Sequence, residues 1–231
     1  MAMKVYIGVG HGGSDPGAVA NGFKEKDLNL AIALACQDEL ARHGVLVKIS
    51  RTKDENDTTS AKCAECNAFA PDVAIDFHNN AGGGDGAEVF YSIYGGTGKV
   101  LAVNILDEIV KIGQNSRGAK TKKNSSGGDY YGFIRNTKAP AVIVECAFVD
   151  NKTDIQIIDT KAEQVAFGVA IAKGVLKTLG VAYKAQEAPV QTETTGKIYR
   201  VQVGAYREKA NAEAMQKKLK AAGYDAIIVE K

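Results

Sequence analysis

His11 and His78 each stand at the end of a short, apolar, β-rich run, Lys4-Val5-Tyr6-Ile7-Gly8-Val9-Gly10 and Val73-Ala74-Ile75-Asp76-Phe77. The chain holds only three histidines, so two of them in this position is a coincidence with weight. Glu25, at the end of the turn-rich stretch after His11, adds a carboxylate. Two imidazoles and a carboxylate are the donor set of a catalytic zinc, one ion per chain, which takes three protein ligands and keeps a position open for water. Glu145 closes another apolar run, Ala141-Val142-Ile143-Val144, where an ionisable group needs a partner or a function. A carboxylate beside such a metal can accept a proton from water and pass it to a leaving amine. Each residue also has a plainer reading. A lone histidine after a strand is commonly a loop residue, as His43 near a helix C-terminus is, and Glu25 can simply favour a helix dipole. The spacing from residue 11 to 25 to 78 matches no compact metal motif, so spacing alone leaves both readings open.

The elements that would position these residues alternate between strand and helix. After the first strand, Glu25 to Arg42 reads as a helix, Val45 to Ile49 as a strand, and Ser60 to Phe69 as a helix capped by Thr58-Thr59-Ser60. Val73 to Phe77 and Ala87 to Tyr91 are strands. Gly98 to Ile112 is a helix whose apolar set is Val100, Val103, Ile105, Ile109 and Val110. Gly113 to Asp129, rich in Lys, Ser and Gly, reads as a mobile polar stretch. Ala141 to Val144 is a buried strand. Thr160 to Leu179 is a helix with Ala162, Val165, Val169, Leu176 and Leu179 on one stripe. The expected fold is a single α/β catalytic domain with a largely parallel twisted sheet flanked by helices, sites lying at the carboxyl edge of the sheet. Gly8-Val9-Gly10-His11-Gly12-Gly13 also matches the G-x-G-x-x-G dinucleotide fingerprint. That fingerprint requires a helix opening inside it, whereas Asp15-Pro16-Gly17 and Asn21-Gly22 are turn signals, so a nucleotide is not expected.

Composition narrows the classes. A net charge of +2 without a dense basic run argues against nucleic acid as a partner. No window has the apolar length of a membrane span, and no signal-peptide core is visible at the N-terminus. Cys63-Ala64-Glu65-Cys66 lacks a second cysteine pair and falls within a helix, so it reads as buried reduced thiols, as do Cys36 and Cys146.

Together these residues carry a resemblance. Gly10-His11-Gly12-Gly13-Ser14-Asp15-Pro16-Gly17-Ala18 with Glu25-Lys26-Asp27-Leu28-Asn29-Leu30 is similar to the opening of the zinc-dependent N-acetylmuramoyl-L-alanine amidases of bacterial autolysins and phage endolysins. The similarity continues through Ser50-Arg51-Thr52, Asp76-Phe77-His78-Asn79-Asn80, Gly86-Ala87-Glu88-Val89-Phe90, Arg117-Gly118 and Pro140 to Glu145. It implies zinc ligands at His11, Glu25 and His78, and a catalytic acid at Glu145. The implied reaction is hydrolysis of the amide between the lactyl group of N-acetylmuramic acid and L-alanine in peptidoglycan, with Asn80 and Arg135 as candidate substrate contacts. Another zinc hydrolase of wall material, a peptidase or deacetylase, and an inactive wall-binding protein are the rival readings. The chain departs from the family pattern where Ser-Ile-His is usual and Asp76-Phe77-His78 stands instead, and where an Arg usually precedes Ala-Asn, here Cys66-Asn67.

Residues 1–182 are the expected catalytic domain and 183–197, poor in large apolar residues, a linker. Residues 198–231 resemble one βαβ half of a SPOR peptidoglycan-binding domain, through Tyr199 to Tyr206, Ala210 to Ala214 and Ala221 to Tyr224. A unit this small buries little core, so a homodimer formed by pairing two copies of the tail is expected. The substrate lies outside the membrane, so a protein made in the cytoplasm would reach it after lysis, by phage or by a mother cell, or by an export route that the sequence does not identify.

Overall fold

Strand β1 (Lys4–Val9) is buried almost throughout and is an interior strand of the sheet that carries the site. The computed structural model describes residues 2–185, 202–221 and 226–229. After β1 a small hairpin, β2 (Val19–Ala20) and β3 (Phe23–Lys24), turns at Asn21-Gly22, both with positive φ, and leads directly into α1 (Glu25–Arg42). There follow β4 (Leu46–Ile49), α2 (Thr59–Phe69), β5 (Val73–Asn80), β6 (Ala87–Tyr91), α3 (Gly96–Lys111) and β7 (Ser116–Lys120). Then come α4 (Gly132–Asn136), β8 (Ala141–Phe148), a 3₁₀ turn (Asp154–Ile157) and α5 (Lys161–Leu179). The six-stranded sheet runs β4-β1-β5-β8-β6-β7, every neighbouring pair parallel except β6 with β8.

The two faces of the sheet are unequal. Val5, Ile7 and Val9 of β1, Val73, Ile75 and Phe77 of β5, and Val142 and Val144 of β8 pack under α1, α3 and α5 in the main core. The alternate residues face α2 and α4, where Tyr6, Ala74, Phe90, Ala141 and Ile143 form a smaller cluster with Cys63, Cys66 and Phe133. At the carboxyl edge that second face turns polar: Asp76, His78, Glu145 and Glu88 continue the same alternation. All four cysteines are buried and free.

Three sequence expectations are corrected. The polar stretch 113–129 contains β7 and a bridge between Lys123 and Asp129. β7 is an edge strand whose charged side chains pair with β6, so it carries no apolar signal. In α3 the buried face is Gly98, Leu101, Ala102, Ile105, Leu106 and Ile109, while Val100, Val103 and Val110 are exposed. In α5 it is Phe167, Gly168, Ala170, Ile171, Ala172, Gly174, Val175 and Leu176, so Leu176 of the expected stripe is buried whereas Val165 is exposed. Glycines account for both shifts: a Cβ on Gly168 would lie 2.6 Å from the Ile32 carbonyl oxygen of α1, and one on Gly174 2.5 Å from the Ile105 backbone of α3. The helices touch through residues that a hydrophobicity stripe does not count.

The chain divides into two compact units, Met1–Lys184 and Ala185–Lys231. In the second unit the helix of the expected βαβ half is present as α6 (Lys209–Ala221). Its side chains at 212, 215, 216 and 219 are the less exposed ones, and Gln216 Nε2 donates to the Ala226 carbonyl at 2.9 Å. Residues 202–206 and 226–229 are not strands of this single chain, whereas most of the expected linker and residues 199–201 lie outside the described residues. No described helix is long and apolar enough to cross a membrane.

Candidate metal centre

His11, one residue past the sheet hydrogen bond from Gly10 N to the Phe77 carbonyl, adopts φ of 61° and turns its ring back over the end of β1. A non-glycine residue in this region is a strained one and persists only where its surroundings enforce it. Here they do. Lys26, buried, donates to the Gly13 carbonyl at 2.9 Å and to Asp54 Oδ2 at 2.7 Å, and Asp54 Oδ1 in turn accepts from Gly13 N. Arg51 Nη2 holds the Gly10 carbonyl from beneath.

Glu25 opens α1 and is nearly fully buried at 4% exposure. Its Oε2 accepts from Ala18 N at 3.0 Å and faces His11 Nε2 at 3.1 Å. Its Oε1 accepts from Asn79 N at 3.1 Å and faces His78 Nδ1 at 3.0 Å. The carboxylate thus sits between the two imidazoles, whose rings meet edge-on with centroids 5.0 Å apart. One ligand atom from each of His11, Glu25 and His78 lies within 4.8 Å of the others, a donor set that suits a divalent ion. Sequence spacing could not show this, because three separate elements supply the donor atoms.

Glu145 of β8 is directly beside His78 of β5 in the parallel register, and Glu88 of β6 is opposite Glu145 in the antiparallel one. His78, Glu145 and Glu88 therefore form a row across three adjacent strands on one face, each step about 5 Å. Glu145 Oε2 is shielded from solvent and has no hydrogen-bond partner. Burial pushes its carboxyl up to about 7; the nearby His78 opposes that rise, and the Glu25, Glu88 and Asp76 charges add to it. Burial alone would also raise Glu25, but hydrogen bonds from His11 and His78 outweigh it and hold that carboxyl well below the usual range. Glu25 is thus a fixed anion and Glu145 a group poised near neutrality, the division expected of a ligand and a proton carrier.

The two candidate substrate contacts are both engaged internally. Asn80 Nδ2 donates to Glu88 Oε1 at 2.8 Å, and exposed Arg135 donates from Nη1 to the Asp129 and Tyr130 carbonyls at 2.8 and 2.9 Å. Sequence reasoning passed over Glu88 itself. It is 5% exposed, and Oε2 accepts from Arg117 Nε at 2.9 Å and from Lys120 Nζ. A glutamate inside the apolar run Ala87 to Tyr91 was the available signal, the same one that marks Glu145. Tyr131, half-buried against Phe90 at 4.8 Å between centroids, feels the charges of Glu145 and Glu88 and lines the same side.

Comparison with known proteins agrees with this geometry. A family profile for N-acetylmuramoyl-L-alanine amidases matches residues 5–177, and one for the SPOR domain matches residues 171–230, starting inside α5. The N-acetylmuramoyl-L-alanine amidase CwlM of Bacillus licheniformis is 34% identical over 233 residues, 98% of this chain and 85% of that one. The sporulation-specific N-acetylmuramoyl-L-alanine amidase of Bacillus subtilis is 32% identical over 233 residues, 99% of this chain and 85% of that one. Among solved structures, Cwp6 from Clostridium difficile superposes with a TM-score of 0.76 at 35% identity, covering 78% of this chain and 30% of that longer one.

Proposed function

The chain belongs to the N-acetylmuramoyl-L-alanine amidases, which hydrolyse peptidoglycan, and from that premise we propose that its metal centre holds one zinc ion on His11, Glu25 and His78, with Glu145 moving the proton. When bound, zinc supplies a Lewis acid that polarises the amide carbonyl and makes water a better nucleophile near neutral pH. The observation that carries the reading is the cluster within 4.8 Å beside a buried, unpartnered Glu145 oxygen. His11 presents Nε2 and gives its Nδ1–H to Asp15 Oδ2 at 2.7 Å, which fixes the ring's tautomer. Glu145 accepts the attacking water's proton at Oε2 and returns it to the nitrogen of L-alanine as the amide breaks. Asn80, two residues past His78, and Arg135 are the proposed substrate contacts.

The SPOR-like tail adds affinity for the wall. Val203, Ile227 and Val229 stand exposed in the second unit, and we propose that a second copy covers them, so that the chain is a homodimer. Light scattering of the full chain should give twice its mass; a monomer across the micromolar range rules the pairing out. Because the substrate is outside the membrane, the enzyme acts once lysis or export has delivered it there.

The activity test is digestion of purified peptidoglycan with a chelator, without it, and with zinc restored. The expected product is a new N-terminal amine on L-alanine, lost with chelator and recovered with zinc. Release of acetate would indicate a deacetylase instead, and binding to sacculi with no product an inactive binder.

A further inference from the structure

The proposed mechanism leaves unused a buried ion pair next to the site. Lys62 Nζ of α2 lies 2.7 and 2.8 Å from the two carboxylate oxygens of Asp76 in β5, and each side chain is 3% exposed. Asp76 Oδ2 in turn is 3.5 Å from His78 Nε2, while Nδ1 of that ring faces Glu25 Oε1 at 3.0 Å. One ring nitrogen therefore faces the ligand cluster and the other faces Asp76. A carboxylate can only accept, so Asp76 calls for a hydrogen on Nε2 and leaves the Nδ1 lone pair for a cation.

Strand β1 is cut away to admit this arrangement. A Cβ on Gly8 would lie 2.5 Å from Asp76 Oδ1 and 3.2 Å from Lys62 Cδ, and one on Gly10 would lie 2.6 Å from His78 Nε2. Gly8 in the strand and Gly10 just past its end thus clear a slot for the carboxylate and the imidazole. This is also where the sequence departs from the Ser-Ile-His pattern that the resemblance implies.

We propose that Asp76, clamped by Lys62, is a positioning residue that commits His78 to present Nδ1 to the metal. This inference rests on His78 being a zinc ligand. Long-range ¹⁵N–¹H correlation spectra of the zinc-loaded protein read the state of each ring nitrogen directly. With three histidines in the chain, a His43→Gln variant, remote from the site, leaves two rings to assign. The expected spectrum has zinc on His78 Nδ1 and a proton on Nε2. Zinc on Nε2 would overturn the inference and leave the metal centre standing, whereas zinc retained unchanged in His78→Ala would overturn the metal centre itself.

Chelator competition gives a second readout. Asp76→Asn should lower zinc affinity by about 10- to 100-fold, as loss of such outer partners does. Should that variant fold poorly, Lys62→Met with Asp76→Leu replaces the pair by apolar groups of similar volume, an exchange that buried ion pairs tolerate. It should show the same loss of affinity in a folded protein. Affinity within twofold of the parent in the folded double variant would refute the positioning role.

Discussion

Glu145→Gln should make the metal-free enzyme more stable while abolishing its activity. Gln keeps the volume and removes the ionisation of a side chain whose Oε2 has no partner. Burial lifts that carboxyl from the ordinary 4.5 to about 7. A carboxyl raised in the folded state contributes stability below its unfolded value, and that contribution is lost as pH climbs through the folded value. By pH 8 the native state therefore carries the full difference, at most about 3 kcal/mol. In chelator-treated protein the Gln variant should melt roughly 5–10 °C higher than the parent at pH 8, and close to it at pH 4.5. With zinc bound the gain should shrink, because a neighbouring cation favours the Glu145 carboxylate. Release of L-alanine amino groups from peptidoglycan should fall about 10²- to 10⁴-fold, the usual worth of a general base. Loss of stability at pH 8, or lysis at the parental rate, would refute the assignment of Glu145 as the strained proton carrier.

Three further outcomes test neighbouring groups. Glu88→Gln leaves Arg117 and Lys120 without their carboxylate on the strand beside Glu145, so the acid limb of the pH–rate profile should move down by about 1 pH unit; an upward shift would contradict the row of charges described here. Gly10→Ala places a methyl against the His78 ring, and chelator competition should show at least a tenfold weaker hold on zinc in a protein that still folds. Arg135→Ala frees the Asp129–Tyr130 carbonyls that support Tyr131, which should raise KM for peptidoglycan fragments while leaving zinc affinity unchanged; a lower zinc affinity would mean that this segment props the metal centre instead.

What the sequence made legible follows from where each residue sits in the sheet. β1, β5 and β8 are central strands whose buried residues form apolar runs, so they stand out, and a charged residue at their ends stands out with them. β7 is an edge strand with polar side chains directed at Glu88 and reads as a loop. The stripes of α3 and α5 are legible only in part, through Ile105, Ile109 and Leu176, because Gly168 and Gly174 mark close helix contacts and score as nothing on an apolar scale. The Lys62–Asp76 pair was illegible for another reason. Its members belong to different elements 14 residues apart, and a lysine on a helix ordinarily reads as a solvated face.

The same physics explains why Glu145, and not its neighbours, is the proposed base. Asp76, Glu145 and Glu88 lie on one face at the carboxyl edge of the sheet, each largely removed from water. Asp76 is matched by Lys62 and Glu88 by Arg117 and Lys120, so both stay ionised. Glu145 stands between them with a cation to neither side except the imidazole of His78, and only it is driven toward neutral pH. A protein that merely needed a buried carboxylate for structure would have paired this one too. Leaving one of three uncompensated, adjacent to a gathered His-Glu-His cluster, is the arrangement that proton transfer at the cluster requires.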